Sequence, residues 1–171
     1  MFTNKYIYIF YSTLVAHPVL HIKESDQDQL EFITSSSLGP NLTIQQGMYK
    51  EIQYIQPDDV YINETESDSN VGYILMGFNF LDHSLTSSLE QTWRDWSGAR
   101  FIYLNLDDCF HMTRISLYRR LQPNCVELFK YVLLVKCANV NHDNIPALLG
   151  FVQRLRVKLI SAFIASYEEA K

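Results

Sequence analysis

The chain has 171 residues, of which 47% are hydrophobic, 13% aromatic and 19% charged. This composition excludes a disordered chain and the length suits one core, so we expect a single globular domain over residues 1–171. The net charge of −5 argues against duplex nucleic acid as a partner, because phosphate binding requires a basic face.

Hydropathy and cysteine usage predict the compartment. No apolar run approaches the roughly 20 residues that span a bilayer, so we expect no membrane partner. The three cysteines, Cys109, Cys125 and Cys137, are odd in number and lack CxxC spacing. Such a pattern is typical of reduced thiols, which predicts a cytoplasmic protein.

The first part of the chain predicts strands. Lys5–Tyr11 is bulky and apolar on both alternating faces, as expected of a central strand. A second short strand is predicted at Val19–Ile22. The loose alternation over Leu42–Ile55 predicts one or two half-exposed strands.

The middle of the chain predicts a βαβ unit. Tyr73–Phe80 and Phe101–Leu106 are apolar on both faces and favour strands. A helix is predicted between them, with a capping box from Ser87 to Glu90 at its start and Gly98 just after its end. Its apolar residues share one helical face: Leu85, Leu89, Trp93 and Trp96. This order of elements predicts two parallel strands joined by a right-handed crossover.

The next two segments differ in how clearly the sequence predicts their secondary structure. Cys109–Leu121 carries both a helical stripe and features of a hairpin arm, and we favour the helix. Val126–Val140 is β-branched and apolar, which predicts a strand centred on Tyr131–Val135.

The C-terminal pattern predicts a long helix over Ile145–Tyr167, with Asn144 as its cap and Pro146 in its first turn. Beyond its core stripe, the helix carries further apolar residues: Leu149, Phe151, Val157, Ile160 and Ile164. This surplus would suit a second copy of the chain and predicts a homo-oligomer. We therefore predict an α+β or α/β fold: a single domain with a mixed sheet, at least one βαβ unit and a long C-terminal helix.

Polar residues follow both strands of the predicted βαβ unit. They are Asp82 and His83 after the first strand, and Asp107, Asp108 and His111 after the second. Because parallel strands end at the same edge of a sheet, these side chains would lie together. Carboxylates and an imidazole suit a small hydrolase, either metal-dependent or phosphoesterase-like. We favour the simpler interpretation, in which the aspartates are helix caps and turn residues.

Known catalytic motifs are largely missing from the sequence. His111-Met112-Thr113 resembles one half of the paired H-x-[ST] motif of the two-histidine phosphoesterases, but no second triplet occurs, so membership is not claimed. GxGxxG, GxxxxGK[ST], GxSxG and HExxH are also absent. We therefore predict no cofactor and no metal, and assign no catalytic residue.

Asp58–Asn70 contains five acidic residues and no basic one, and we predict an exposed loop. The residues expected to contact a partner are Asp58, Asp59, Tyr61, Glu64, Glu66 and Asp68. Acidic side chains around an aromatic anchor suit a basic partner, as in an inhibitor or immunity protein that covers a cationic site. The leading hypothesis is a non-enzymatic protein-binding module of inhibitor, immunity or adaptor type; the hydrolase is the alternative.

Overall fold

The computed structural model describes residues 6–12, 21–25, 44–57, 70–79, 86–122 and 128–168. Seven strands form one sheet: β1 (Tyr6–Ser12), β2 (His21–Ser25), β3 (Ile44–Ile55), β4 (Gly72–Phe78), β5 (Met112–Gln122), β6 (Tyr131–Cys137) and β7 (Phe163–Glu168). Their order is β2-β1-β3-β5-β6-β4-β7, and every neighbouring pair is antiparallel. Since each strand bonds to one running the other way, the predicted mixed sheet is wrong.

The described helices lie in two connections of this sheet. Three short ones follow β4: α1 (Thr86–Gln91), α2 (Trp93–Trp96) and α3 (Ala99–Asn105). The fourth, α4 (Ile145–Lys158), joins β6 to β7. From β4 onward, the connectivity and the order β5-β6-β4-β7 are those of the ferredoxin-like motif. Among these helices, none is both long enough and apolar enough to cross a lipid bilayer.

The predicted βαβ unit is wrong because its second strand is a helix. Phe101–Leu106 falls in α3 and its C-cap rather than in the sheet. Ala99, Ile102 and Leu106 are buried, and their spacing of three and four residues is that of one helical face. A six-residue apolar run is too short for its periodicity to decide between strand and helix, and packing against the sheet selects the helix.

The long C-terminal helix is also wrong. α4 begins at Ile145 as predicted, but it ends at Lys158 instead of continuing to Tyr167. The chain then turns and pairs with β4 as β7, with Ile164 opposite Met76. As a strand, β7 supplies hydrogen-bond partners to the backbone at the edge of β4. A helix over the same residues would leave that edge of β4 without these partners.

Cys109–Leu121 is mainly strand, so the hairpin-arm alternative is confirmed and the favoured helix is wrong. Within β5 the buried residues Ile115 and Leu117 face the helical layer, while Ser116 and Tyr118 lie on the opposite face. This period of two is the strand signal, and β5 pairs with β6 in antiparallel register.

Several other predicted elements are confirmed. The strand predictions at Lys5–Tyr11, Tyr73–Phe80 and Tyr131–Val135 correspond to β1, β4 and β6. The half-exposed strand pattern before Ile55 corresponds to β3. The strand predicted at Val19–Ile22 is displaced, since β2 runs over His21–Ser25.

The larger hydrophobic cluster lies between the sheet and the helices, and a smaller one, with Tyr49, Tyr118 and Val132, lies on the opposite face of the sheet. Trp93 is buried in the larger cluster, and the Trp96 ring meets Phe78 and Tyr131 edge-on at centroid distances of 5.1 and 5.7 Å, which confirms the tryptophan pair as core. α4 adds four buried side chains, Leu148, Phe151, Val152 and Leu155. Full burial of each such side chain contributes roughly 1.5–3 kcal/mol, so α4 is firmly held and its opposite side faces solvent.

Candidate functional site

The helical layer carries a groove between α3 and the end of α4. Its volume is about 310 Å³. It is lined by Asp95, Gly98, Arg100, Phe101, Leu104, Asn105, Lys158 and Leu159. Concave surfaces with an apolar lining and a few polar groups are the usual form of binding sites.

Gly98 allows α3 and the end of α4 to approach closely. It is the N-cap of α3 and has a left-handed backbone, with φ of 79°. A Cβ atom at this position would lie 2.6 Å from Cδ1 of Leu159, which is closer than real contacts allow. Glycine therefore suits this position both in backbone conformation and in space, and it sets one end of the groove.

Phe101 and Lys158 bring an aromatic ring and a cation together in the lining of the groove. Nζ of Lys158 lies 3.7 Å from the centroid of Phe101, so the cation is held beside this aromatic wall. The Phe101 ring stacks on the buried Phe151 ring, with centroids 6.2 Å apart. The Arg154 guanidinium lies 5.5 Å from the centroid of Phe151, and neither residue belongs to the lining.

One large apolar side chain of the groove stays in contact with water. Leu104, which lines the groove, is 67% exposed, although it belongs to a helix whose other face is buried. Val157, in α4, and Ile160, two residues after the end of α4, are 77% and 89% exposed but do not line the groove. Scattered single residues of this kind are ordinary, but Leu104 lies in a concave site, and apolar groups in such a place are typical of binding surfaces.

The charge around the groove is positive. Arg100 lies 3.5 Å from Asp95, and both side chains are largely exposed, so this ion pair is weak. Lys158 adds a second cation. With two cations against one carboxylate, the lining carries a net charge of about +1 and favours negatively charged groups.

Asp107, one of the residues predicted to bind a ligand, caps the N-terminus of a short 3-10 helix, Asp108–Phe110. Its Oδ1 accepts a hydrogen bond of 2.9 Å from the backbone N–H of Cys109. Hydrogen bonds from the thiol and the backbone of Cys109 lower the pKa of Asp107. This matches the simpler interpretation of the segment, in which Asp107 serves the local backbone.

Cys109 is exposed next to two carboxylates, while Cys137 is buried in the core. Hydrogen bonding to Asp107 raises the pKa of the Cys109 thiol, and burial and the charges of Asp107 and Asp108 add to this effect. All of these effects disfavour the thiolate. A nucleophilic role for Cys109 is therefore not supported by its surroundings.

The remaining predicted ligand residues are not brought together in the described part of the chain. His111 is exposed and has a left-handed backbone, with φ of 44°. Asp82 and His83 lie outside the described residues. Among those that are described, no group of three or more His, Cys, Asp or Glu side chains is placed to hold a metal. Ligand binding by Asp82, His83, Asp107, Asp108 and His111 stays a prediction, without the parallel strand ends on which it was based.

The predicted partner-binding residues, Asp58, Asp59, Tyr61, Glu64, Glu66 and Asp68, also lie outside the described residues. The sequence does not predict the groove. Of the surplus apolar residues predicted on the C-terminal helix, Val157 and Ile160 are exposed but do not line it, and Phe151 and Ile164 are buried. For the α3 side of the groove the sequence predicts a strand, so it gives no signal there.

The described residues form a mostly β domain with one antiparallel sheet, a ferredoxin-like half and a groove on its helical layer. Residues 7–169 match the family described as "Domain of unknown function (DUF7153)", and the chain belongs to that family. It is also similar to the uncharacterized protein C01C4.2 of Caenorhabditis elegans, with 26% identity over 128 residues. That match covers 72% of this chain but spans only 27% of the length of the relative.

Proposed function

We propose that this chain is a non-enzymatic protein-binding module and that the groove between α3 and α4 is a binding surface. The observation that carries the proposal is the exposure of Leu104 inside a concave site with an aromatic wall. A partner side chain that enters the groove would remove this apolar surface from water, which stabilises a complex by roughly 25 cal/mol per Å².

The acidic segment over Asp58–Asn70 supplies a second proposed surface, supported by its sequence. Its five carboxylates and Tyr61 suit a basic partner, as expected of a protein of inhibitor, immunity or adaptor type. The groove is positively charged and the segment is acidic. One module would therefore offer separate surfaces to an acidic and to a basic partner.

The test is quantitative affinity capture from native lysate with the full chain and matched variants. Leu104→Asp introduces a charge into the groove, whereas Ile160→Asp makes the same change at an exposed position that does not line it. We expect a partner that is retained by the wild type and by Ile160→Asp but lost from Leu104→Asp. Equal recovery by all three proteins would exclude the groove as the binding surface.

A further variant tests the acidic segment. Asp58, Asp59 and Asp68 are changed to Asn, and Glu64 and Glu66 to Gln. We expect a basic partner to be lost from this variant, because the neutral amides remove the electrostatic attraction. If every captured protein binds the neutral variant as strongly as the wild type, the segment is not a binding surface.

A further inference from the structure

We infer that the groove between α3 and α4 binds an acidic segment of another polypeptide, with carboxylates on the rim and an apolar side chain inside. This inference rests on the proposed function and adds the chemistry of the partner. It depends on the coincidence of two features at one site: the apolar lining of Phe101, Leu104 and Leu159, and the excess of cations around it.

The position of Lys158 supports a bound carboxylate. Its ammonium is exposed and lies 3.7 Å from the centroid of Phe101, which favours a position of the charge at the wall of the groove. An ammonium has three hydrogen-bond donors, and a ring face satisfies them poorly, so a carboxylate beside the ring can accept from Lys158. Arg100, on the α3 side, can pair with a second carboxylate of the same segment.

Charge also argues against a contact between the grooves of two copies of this chain. Two copies that met through the same groove would each present Arg100 and Lys158 against a single Asp95. Such a two-fold interface brings like charges together, which is unfavourable. A homo-oligomer that meets groove to groove is therefore less well supported than an acidic partner.

Shape argues against a lipid surface. Membrane-binding helices insert protruding apolar side chains into the bilayer, whereas Phe101, Leu104 and Leu159 line a concavity. A concave apolar site with a charged rim fits a side chain that enters from an extended or helical segment. We therefore choose the peptide over anionic lipid, and the test below separates the two.

The experiment measures fluorescence polarisation of a labelled peptide built from three Glu-Glu-Leu-Leu repeats, with a matched peptide of Gln-Gln-Leu-Leu repeats. We expect the acidic peptide to bind at least roughly tenfold more tightly, and the difference to shrink as salt is raised. Lys158→Glu should weaken binding of the acidic peptide by roughly tenfold or more, since it removes one contact and adds a repulsion.

Lys136→Glu is the matched control, because it makes the same change in net charge on the opposite face of the sheet. It should bind like the wild type, and thermal melting verifies that each variant is folded. The inference fails if the acidic peptide binds no better than the neutral one, or if Lys136→Glu weakens binding as much as Lys158→Glu.

Two further outcomes assign the groove to other occupants. Cosedimentation with phosphatidylserine vesicles that Lys158→Glu abolishes, without peptide binding, would replace the peptide with a lipid surface. A concentration-dependent increase in mass that Leu104→Asp abolishes would replace it with a second copy. If capture from lysate depends on Leu104 but the acidic peptide fails, the proposed function stands and this inference alone is overturned.

Discussion

At the scale of single residues, the face of the sheet opposite the helices contains a charged pair. Arg114 donates to both carboxylate oxygens of Glu51, with N–O distances of 2.9 to 3.2 Å. Its guanidinium also lies 4.0 Å from the ring centroid of Tyr54 and donates to the Ser116 hydroxyl. The Glu51 side chain is only 9% exposed and that of Arg114 26%, so the carboxylate depends on this partner.

Arg114→Met should therefore be destabilising, because it leaves a largely buried carboxylate without its partner. We expect the free energy of unfolding to fall by about 2–3 kcal/mol, below the roughly 3–5 kcal/mol for a broken fully buried pair, since Arg114 is partly exposed. The double variant Arg114→Met with Glu51→Met should be more stable than Arg114→Met alone. Urea denaturation of the two single variants and the double variant measures this, and additive effects would contradict the expected coupling.

Substitution by alanine should change the free energy of unfolding in opposite directions at two glycines. At Gly98, the positive φ and the contact with Leu159 make Gly98→Ala destabilising by about 1–2 kcal/mol. Gly150 lies in α4 with nothing within 4 Å of an added Cβ, so Gly150→Ala should stabilise by about 0.5–1 kcal/mol. Urea denaturation compares them, and a stable Gly98→Ala would mean that the end of the groove is less tightly constrained than the contact indicates.

At the scale of elements, the strands with a continuous apolar run are predictable from the sequence and two short segments are not. β4 is apolar throughout and β6 is apolar except for Lys136, which is enough to identify them as buried strands. α3 and β7 depend on what they pack against. Leu159, Ala162 and Phe163 continue the helical stripe of α4 by spacing alone, yet Phe163 begins a strand because the edge of β4 is available. Periodicity cannot report such long-range pairing.

Arg156 in α4 holds the neighbouring strand β7 through two hydrogen bonds. Nε and Nη2 of Arg156 both donate to the backbone carbonyl of Ile164, at 3.0 and 2.7 Å. Arg156→Met keeps the aliphatic stem but removes both bonds. We expect amide hydrogen exchange in β7 to become roughly tenfold faster, because bonds from a charged donor contribute about 1.5–3 kcal/mol.

Arg154→Met is the control for this measurement, since Arg154 is a second arginine of α4 and its guanidinium contacts the Phe151 ring. Exchange in β7 should be unchanged in that variant. Unchanged exchange in Arg156→Met as well would show that strand pairing with β4 alone holds β7 in place.

At the scale of the whole molecule, the candidate site combines segments that are far apart in the chain. Asp95 to Asn105 forms one side of the groove, and Lys158 and Leu159 form the other. Neither segment carries a recognisable motif, so no sequence pattern could predict the groove before the order of the strands was known. The acidic segment is visible in the sequence because its charges are contiguous. The opposite charge balance of the two parts of the chain is visible too. Residues 1–100 hold 5 Lys and Arg against 13 Asp and Glu, whereas residues 101–171 hold 9 Lys and Arg against 6 Asp and Glu.

The buried thiol of Cys137 links the stability of the whole fold to pH. Burial raises the pKa of Cys137 from 9.0 to about 12, with a smaller contribution from Cys109. Between these values the unfolded chain loses the proton while the folded chain keeps it, so stability falls as the pH rises above about 9. The expected slope is about 1.4 kcal/mol per pH unit, and the contribution is fully present below pH 9.

Cys137→Val removes the ionisable group at similar volume and should remove this part of the alkaline loss. Urea denaturation of both proteins between pH 8 and 11, a window set by the shifted pKa, measures the difference between their free energies of unfolding. As the pH rises, the wild type should lose more unfolding free energy than Cys137→Val. Other groups that titrate in this range affect both proteins equally, so their contributions cancel in the difference. Parallel curves would show that water reaches the thiol when it ionises, so that the core around β6 opens without unfolding of the whole domain.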